Sequence, residues 1–538
     1  MKKLLLVYAL LQSVIGVAQE EDAWVYFKDK PQSATFLANP TTMLTQRSLD
    51  RRTKQKIALD EKDVPVDANY YSQLKNVSGL TLVAKSRWLN AVHVRGTKAV
   101  IDGVKTSLNF VQSIEFANKS LNKPGGKSRT VKHVKRPNKF SEIQVDFDYG
   151  IANTQVSMIK ANFLHKEGFT GEGVHMAVID AGFPNVNTLA GFKRLRDANK
   201  ILGGYDFVNR SNNFYTGHSH GTHVLSDIAG YVDKSFVGTA PDASFYLFIT
   251  EDIANEGPHE ESLWVEAAER ADSLGVDVIN TSLGYTEFDN TAYNHTYSDM
   301  DGKTAFISRG AEIGVSRGMI LVTSAGNDGN KRWKYVSAPA DAKSVFTIGA
   351  VSASKSIASF SSFGPTADNR VKPDVLAHGL SVYVLDYISG NTRTINGTSF
   401  SSPIMAGAVA CMWQAFPNRT NMEIMDIIRK SADRYTNPTA QYGYGIPDLE
   451  KAYKTTLGVT SVQDRDALLV YPNPVTTQLF VKSKQVNVDY SIRNVLGALV
   501  QKGVLKNESI GIEELQTGVY ILELTSKNNT QSIRFVKE

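Results

Sequence analysis

Cysteine is almost absent from this sequence, with Cys411 the only one among 538 residues. A single cysteine excludes an intramolecular disulfide, and with it the small secreted domains that depend on disulfides for stability. Stability must therefore come from buried apolar surface, which a chain of this length can supply over several domains. Because Cys411 lies in an apolar stretch, we expect a buried small hydrophobic residue and not a nucleophile.

Long apolar runs are also scarce. The run at residues 4–17 follows Lys2 and Lys3 and is short for a membrane span. Ala18 and an acidic stretch come next, which is the pattern of a cleaved signal peptide. We therefore predict an exported protein without a transmembrane segment.

The chain has little excess charge, with a formal net charge of +5. Much of the excess lies in residues 119–139, which contain eight Lys or Arg and no acid. Such a run is compatible with a nucleic-acid-binding tail. Its Pro and Gly residues favour a solvated, protease-sensitive linker, so we expect no nucleic-acid partner.

Three regions differ in pattern. Residues 23–117 predict a small α+β unit with strands at 23–27, 82–83, 91–94 and 111–116 and a helix within 45–57. Residues 145–457 alternate apolar strands with helices, which predicts an α/β fold with a parallel sheet covered on both faces. Its predicted strands are 174–179, 244–249, 276–283, 319–324 and 345–350, and its predicted helices include 262–274 and 304–317. From residue 468 onward, a Tyr-Pro-Asn-Pro turn and short strands at 478–481, 519–524 and 532–536 predict an all-β module.

Asp180 and His220 are the first two candidate catalytic residues. Asp180 ends an apolar strand, at the sheet edge where sites of α/β proteins gather, although structural Asp residues also occur there. His220 precedes Gly-Thr-His-Val at the start of a predicted helix. His218, His220 and His223 are alternatively spaced as metal ligands, but Gly221 stands where a helical zinc peptidase motif has Glu.

Ser399 and Asn327 complete the constellation. Ser399 lies in Asn-Gly-Thr-Ser-Phe-Ser-Ser-Pro, before an apolar segment that predicts a buried helix. At that helix N-terminus, free N–H groups favour developing negative charge, while an N-cap role is the plainer alternative. Asn327 follows the strand 319–324 within Ala-Gly-Asn, where its amide is a candidate oxyanion donor.

These motifs resemble the subtilisin-like serine peptidases, family S8, over residues 149–453. His-Gly-Thr-His-Val and Gly-Thr-Ser-Phe-Ser-Ser-Pro are specific to that family, as is the order Asp, His, Ser. The resemblance implies that Asp180 orients His220 and that His220 acts as general base on Ser399. Asn327 and the Ser399 backbone N–H would then form the oxyanion hole.

The same resemblance implies where substrate binds. The segment Ser282, Leu283 and Gly284 matches the edge strand that pairs with the peptide backbone. A second segment, Ser324, Ala325 and Gly326, matches one wall of the primary specificity pocket.

Two departures from the family stand out. Ala181 replaces a frequent Ser or Thr, which removes a hydroxyl near Asp180. The segment 285–303 is enlarged and contains Asp289, Asp299 and Asp301. Its carboxylates are suitable calcium ligands, but capping of the next helix by Asp301 or Thr304 is favoured. We predict no metal at the catalytic site and no cofactor for the chemistry.

The flanking regions have counterparts in secreted relatives. The α+β unit stands where the family has an inhibitory prosegment, and the last ~70 residues resemble a type IX secretion sorting domain. We predict a secreted or cell-surface endopeptidase of protein or peptide substrates, with its prosegment as intramolecular inhibitor and the type IX secretion machinery as partner. The predicted boundaries are signal peptide 1–18, prosegment 19–117, basic linker 118–144, peptidase domain 145–458 and a small β-sandwich-like sorting domain 459–538.

Two other function classes remain at this point. One is a non-catalytic binding protein with the same fold, and the other is a metal-dependent hydrolase using the three histidines. Retention of all four candidate catalytic residues argues against the first.

Overall fold

The computed structural model describes residues 19–122, 147–457, 469–482, 489–495, 497–505, 508–526 and 529–538. The chain divides into two compact units, residues 1–457 and 458–538. The predicted signal peptide and nearly all of the predicted basic linker lie outside the described residues. Among the described helices, none is long and apolar enough to cross a membrane.

A seven-stranded parallel sheet forms the centre of the first unit, which confirms the predicted fold class. The five predicted strands are confirmed, and their burial on both faces explains their nearly continuous apolar sequence. The prediction missed the two edge strands, one of which contains Gly203 and Gly204 and the other of which has only four residues. From edge to edge, the strands are Val375–His378, Phe346–Val351, Ile320–Ser324, Val278–Thr281, His175–Asp180, Ser244–Ile249 and Ile201–Asp206.

Helices cover the sheet, and Thr398–Ala415 is buried along almost its whole length. Cys411 lies in this helix and is fully buried, as predicted; its Sγ donates to the Thr239 carbonyl oxygen at 3.2 Å. Within residues 147–457, the other helices of at least five residues are Asn153–Ser157, Ala161–Lys166, Lys193–Asp197, His220–Ala229, Pro258–Leu274, Phe306–Ser316, Asn421–Ser431 and Leu449–Thr456. Short strands pair outside the main sheet as Tyr231–Val232 with Phe236–Val237 and Val382–Leu385 with Thr392–Ile395.

The predicted cap at Asp301 or Thr304 is wrong. The helix begins at Phe306 after Ala305, which has no side-chain cap. Asp301 Oδ1 instead accepts from the backbone N–H groups of Lys303 and Thr304, at 2.8 Å each, and closes the turn before the helix.

Residues 20–116 form the predicted α+β unit, named here the N-terminal unit. Its four antiparallel strands are confirmed, as is the helix within 45–57, but three further helices were not predicted. In sheet order the strands are Leu80–Ser86, Ala91–Thr97, Glu20–Phe27 and Val111–Phe116, and the helices are Ser33–Ala38, Gln46–Gln55, Ala68–Lys75 and Lys98–Ser107.

The N-terminal unit docks on the helix Pro258–Leu274 through buried charges. Asp272 is fully buried and contacts three arginines, with Arg52 at 2.8 Å and Arg87 at 3.0 Å. Arg51 is the third partner. Burial by itself would raise the pKa of Asp272, but the three guanidinium groups lower it below its usual range. The contact therefore depends on a charge that water does not solvate.

The second unit consists of antiparallel strands with their own core. All three predicted strands are confirmed, and four others were missed. Leu479, Ile492, Leu522 and Phe535 are fully buried between the two sheets. The strands are Leu469–Tyr471, Gln478–Lys482, Asp489–Asn494, Leu499–Val504, Ser509–Gly511, Gly518–Ser526 and Asn529–Lys537.

Replacement of Asp272 tests the docking contact. Asp272→Ala leaves Arg51 without its paired carboxylate and Arg52 with Asp63 alone, a change that costs about 3–5 kcal/mol for a buried pair. We expect amide hydrogen exchange in the helix Gln46–Gln55 of the uncleaved chain to show an opening free energy lowered by that amount. The matched control is Asp102→Ala, which removes the exposed Lys98–Asp102 pair and costs less than about 1 kcal/mol. Equal protection in the two variants would contradict the assignment.

Candidate active site

Asp180 and His220 meet at the carboxyl end of the central strand His175–Asp180. Asp180 is 1% exposed, and its Oδ1 lies 2.8 Å from His220 Nδ1. The backbone N–H of Ala181 donates to the same oxygen at 2.8 Å, while Oδ2 is buried without a hydrogen-bond partner among the described residues. Ala181 thus binds the Asp180 carboxylate through its backbone N–H, and its methyl side chain supplies no hydroxyl.

Close approach of the His220 helix requires glycine at 221. A Cβ at Gly221 would lie 2.4 Å from the carbonyl oxygen of Gly182 and 3.0 Å from Asp180 Cβ. The Gly that follows His220 in the sequence motif therefore lets the helix pack directly against the strand that carries the carboxylate.

The carboxylate sets the charge state of the imidazole. Burial would lower the pKa of His220, but Asp180 raises it by charge and by hydrogen bonding, with a further increase from Glu251. The net pKa lies above the usual histidine value. The hydrogen bond at Nδ1 also leaves Nε2 as the proton acceptor of the neutral ring.

The three histidines do not converge as a metal site. His218 Nδ1 accepts from the backbone N–H of His220 at 3.2 Å, and burial lowers the pKa of His223 to about 4. No group of three or more potential ligands is found within the residues that the structure describes. The aspartates of the segment 285–303 also have separate partners: Asp289 accepts from Glu256 N, and Asp299 pairs with Lys119 at 2.7 Å.

Ser399 lies at the second residue of the buried helix, after Gly397 with a φ of 151°. Its Oγ donates to the carbonyl oxygen of Ser282 at 3.1 Å, and Ser282 Oγ donates to the Ser399 carbonyl oxygen at 2.9 Å. Among the described contacts, no hydrogen bond joins Ser399 to His220. The two are nevertheless neighbours, since the His220 ring lies 5.6 Å from the ring of Phe400.

Asn327 is tied to the same helix start. Its Oδ1 accepts from the backbone N–H of Thr398 at 2.8 Å and from the Thr398 hydroxyl at 3.0 Å. Because Oδ1 is engaged and the residue is exposed, the amide Nδ2 remains available to a ligand beside Ser399.

The two predicted substrate-binding segments leave neighbouring strands at this edge. Ser282 is buried, Leu283 is half-buried and Gly284 is exposed. Across the gap, Ser324 and Ala325 are buried, whereas Gly326 is half-buried with a φ of 107°. A Cβ at Gly326 would lie too close to the side chains of Ser337 and Ser362. Glycine at 326 therefore lets the segment 324–326 pack against these two serines.

Sequence reasoning missed several residues of the site. Thr398 lies inside the motif Gly-Thr-Ser-Phe-Ser-Ser-Pro. Its hydrogen bonds to Asn327 join residues 71 positions apart, so no short sequence pattern indicates them. Glu251 and Tyr285 follow predicted strands, as Asp180 does, so their position after a strand was an unused signal. Their side chains meet at 2.7 Å.

Comparison with known proteins gives matches over most of the chain. The model of the Subtilase family matches residues 171–445, that of the Peptidase S8 propeptide domain, Bacteroidota, matches 22–135, and that of the Secretion system C-terminal sorting domain matches 469–538. Subtilisin E of Bacillus subtilis is 32% identical over 330 residues, covering 61% of this chain and 76% of that protein. Subtilisin NAT of Bacillus subtilis subsp. natto gives the same figures, and serine protease AprX of Bacillus subtilis is 28% identical over 330 residues, 56% of this chain and 70% of its own. The propeptide match includes much of the segment that sequence analysis assigns to the linker.

Proposed function

We propose that Asp180, His220 and Ser399 form the catalytic triad of this chain, which belongs to the subtilase family and is a subtilisin-like serine endopeptidase. The observation that carries the proposal is the hydrogen bond of 2.8 Å between His220 Nδ1 and buried Asp180, beside the N-terminus of the Ser399 helix. In that arrangement Asp180 fixes the tautomer that leaves His220 Nε2 free to accept a proton.

The chemistry proceeds through an acyl-enzyme. Ser399 Oγ attacks the peptide carbonyl carbon as its proton passes to His220 Nε2, and a C–O bond forms. The C–N bond then breaks as His220 returns the proton to the leaving amine. Water, activated by the same imidazole, hydrolyses the ester and restores the Ser399 hydroxyl.

Substrate binding prepares the nucleophile. In the free site, the Ser399 hydroxyl donates to the carbonyl oxygen of Ser282. Rotation toward His220 exchanges this bond for the catalytic one, and catalytic hydrogen bonds commonly tighten only in the complex.

The oxyanion hole consists of Asn327 Nδ2 and the backbone N–H of Ser399. Thr398 supports this role, because it holds Asn327 Oδ1 with two donors and so orients the amide. A donor fixed in advance binds the tetrahedral oxyanion better than the planar carbonyl.

Peptide or protein substrates bind as an added strand along Ser282, Leu283 and Gly284. Ser324, Ala325 and Gly326 line one wall of the pocket for the residue whose carbonyl is attacked. Catalysis in this family needs no cofactor, and we assign no metal to the site.

The flanking regions agree with export as a precursor. The sorting domain indicates secretion or attachment at the cell surface. The N-terminal unit corresponds to the propeptide domain, and its buried contact with Asp272 supports a role as intramolecular inhibitor. We propose maturation within residues 118–144 and export by the type IX machinery.

Ser399→Ala tests the triad. Removal of the hydroxyl eliminates the nucleophile, so we expect loss of casein hydrolysis, of self-maturation and of labelling by a fluorophosphonate. Ser401→Ala is the matched control on the same buried helix and should keep labelling. Cleavage by Ser399→Ala at the wild-type rate would reject the assignment, and chelator-sensitive cleavage without labelling of the wild type would favour a metal hydrolase.

The pH profile tests His220. Because only the neutral imidazole accepts the serine proton, activity falls as the pH drops through the raised pKa of His220. The acid limb of log kcat/KM should therefore lie above the usual histidine value of about 6.5. Asp180→Asn removes the charge that raises this pKa and should move the limb to lower pH as well as decrease kcat. A profile that is flat from about pH 5 to 8 would count against His220 as base.

Asn327→Ala tests the oxyanion hole. We expect kcat to fall on the order of 10²–10³-fold with KM little changed, which is the effect known for removal of an oxyanion donor in this family. A residue that only closes the turn would instead lower thermal stability with normal kinetics in the folded fraction. Kinetics on active-site-titrated enzyme separate the two roles.

A further inference from the structure

Glu251 is an acidic residue of the cleft that the proposed chemistry does not use. It follows the strand Ser244–Ile249, which pairs with His175–Asp180 so that Ile249 lies opposite Asp180. Thr250 N donates to the Asp180 carbonyl oxygen at 3.2 Å. Glu251 therefore emerges at the same sheet edge as the proposed triad.

Tyr285 fixes one oxygen of this carboxylate. Tyr285 follows the strand Val278–Thr281, which flanks the Asp180 strand on the other side, and its hydroxyl donates to Glu251 Oε1 at 2.7 Å. Tyr285 is 1% exposed and exchanges backbone hydrogen bonds with Ala338, so this donor is rigidly held. The Glu251 carboxylate is thereby held across the end of the Asp180 strand by the residue that follows the segment 282–284.

The second oxygen is available to a ligand. Thr250 Oγ1 also donates to Oε1, at 2.9 Å, whereas no hydrogen bond to Oε2 is found in the described parts of the chain. The residue is only half-buried. Its carboxylate is thus positioned by two hydroxyls that engage one oxygen, and they leave the other oxygen free of those contacts.

No cation of the described chain neutralises Glu251. Glu256 and Glu260 are nearby, and among the described residues no Lys or Arg forms an ion pair with any of these three glutamates. Burial raises the pKa of Glu251 to about 7. Hydrogen bonds from the Tyr285 and Thr250 hydroxyls lower this pKa, and the charges of Glu256 and Asp180 raise it further. By contrast Asp328, the acid beside the oxyanion asparagine, is paired with Lys331 at 2.9 Å.

Sheet order decides which substrate side chain meets Glu251. Side chains of an extended peptide alternate between opposite sides. On one side of the strand Val278–Thr281 is the pocket wall 324–326, and on the other are the strands that lead to Asp180 and Glu251. If the residue whose carbonyl is attacked points toward the wall, the preceding residue points toward His220 and Glu251.

We propose that Glu251 is a specificity-determining residue whose carboxylate binds a lysine or arginine side chain at the substrate position immediately before the residue whose carbonyl is attacked. This inference rests on the proposed function, because it uses the same cleft and the same peptide direction. A basic side chain at that substrate position supplies Glu251 with the counter-charge that no Lys or Arg of the described chain provides. Because the position is partly desolvated, the pairing is selective.

Paired peptides test the proposal with the matured enzyme. The two peptides differ only at this position, with lysine in one and norleucine, which has the same carbon chain without the ammonium group, in the other. At about pH 8.5 we expect kcat/KM to favour lysine by roughly two- to fivefold, the size of a partly exposed charge pair. Glu251→Gln keeps an acceptor for Tyr285 and should bring the ratio close to one, with fluorophosphonate labelling retained.

Glu256→Gln is the matched control on the same loop and should leave most of the preference. If both variants lost the lysine preference equally, the preference would come from the combined negative charge of the loop and not from Glu251, which would overturn the proposal. So would a wild-type ratio of one, or loss of activity on both peptides in a Glu251→Gln enzyme that is still labelled. Absence of labelling in the wild type would instead refute the proposed function.

A second measurement needs no variant. Both peptides depend equally on His220, so the ratio of their kcat/KM values cancels its titration. The charged groups that face Glu251 are Asp180, His220, Glu256 and Glu260. Since lysine stays charged, the ratio should fall as the pH decreases through about 7 and Glu251 gains a proton. A lysine preference that does not change with pH would contradict the assignment to Glu251.

Discussion

The site depends on a single buried carboxylate. Asp180 lies at the end of the central strand, nearly inaccessible to water, with one oxygen shared by His220 and a backbone N–H. A charge in that position is expensive unless it is hydrogen-bonded, so the surrounding structure must hold the imidazole against it. Gly221 makes this approach possible, and the raised pKa of His220 is its electrostatic consequence.

A second buried carboxylate lies near the C-terminus of the helix Pro258–Leu274. There Asp272 is compensated by three arginines of the N-terminal unit, which the chain supplies from its own sequence. At the start of that helix Glu260 is surrounded by other acids, and burial with Glu251 and Glu256 raises its pKa to about 10. One end of the helix therefore has its counter-charge, whereas at the other end the raised pKa keeps Glu260 protonated and uncharged near neutral pH.

Prediction from sequence succeeded where the pattern was local. The five central strands are continuous apolar segments, and residues 403–416 predict a buried helix because they are apolar or small on almost every side. The edge strand Ile201–Asp206 was missed because its glycines weaken the pattern. The cap at Asp301 was wrong because a turn and a helix start look alike over a few residues, and only backbone geometry separates them.

The sequence by itself determined the family, the order of the chemistry-bearing residues and the division into a propeptide, an enzyme and a sorting domain, because short motifs and periodicity carry that information. It did not determine which groups share hydrogen bonds across the fold. Three contacts join residues that are distant along the chain. Thr398 binds Asn327, Tyr285 binds Glu251, and Asp272 pairs with three arginines. Only the tertiary structure decided these contacts, since parallel strands bring their carboxyl ends together at the site and docking of the N-terminal unit brings its arginines to Asp272.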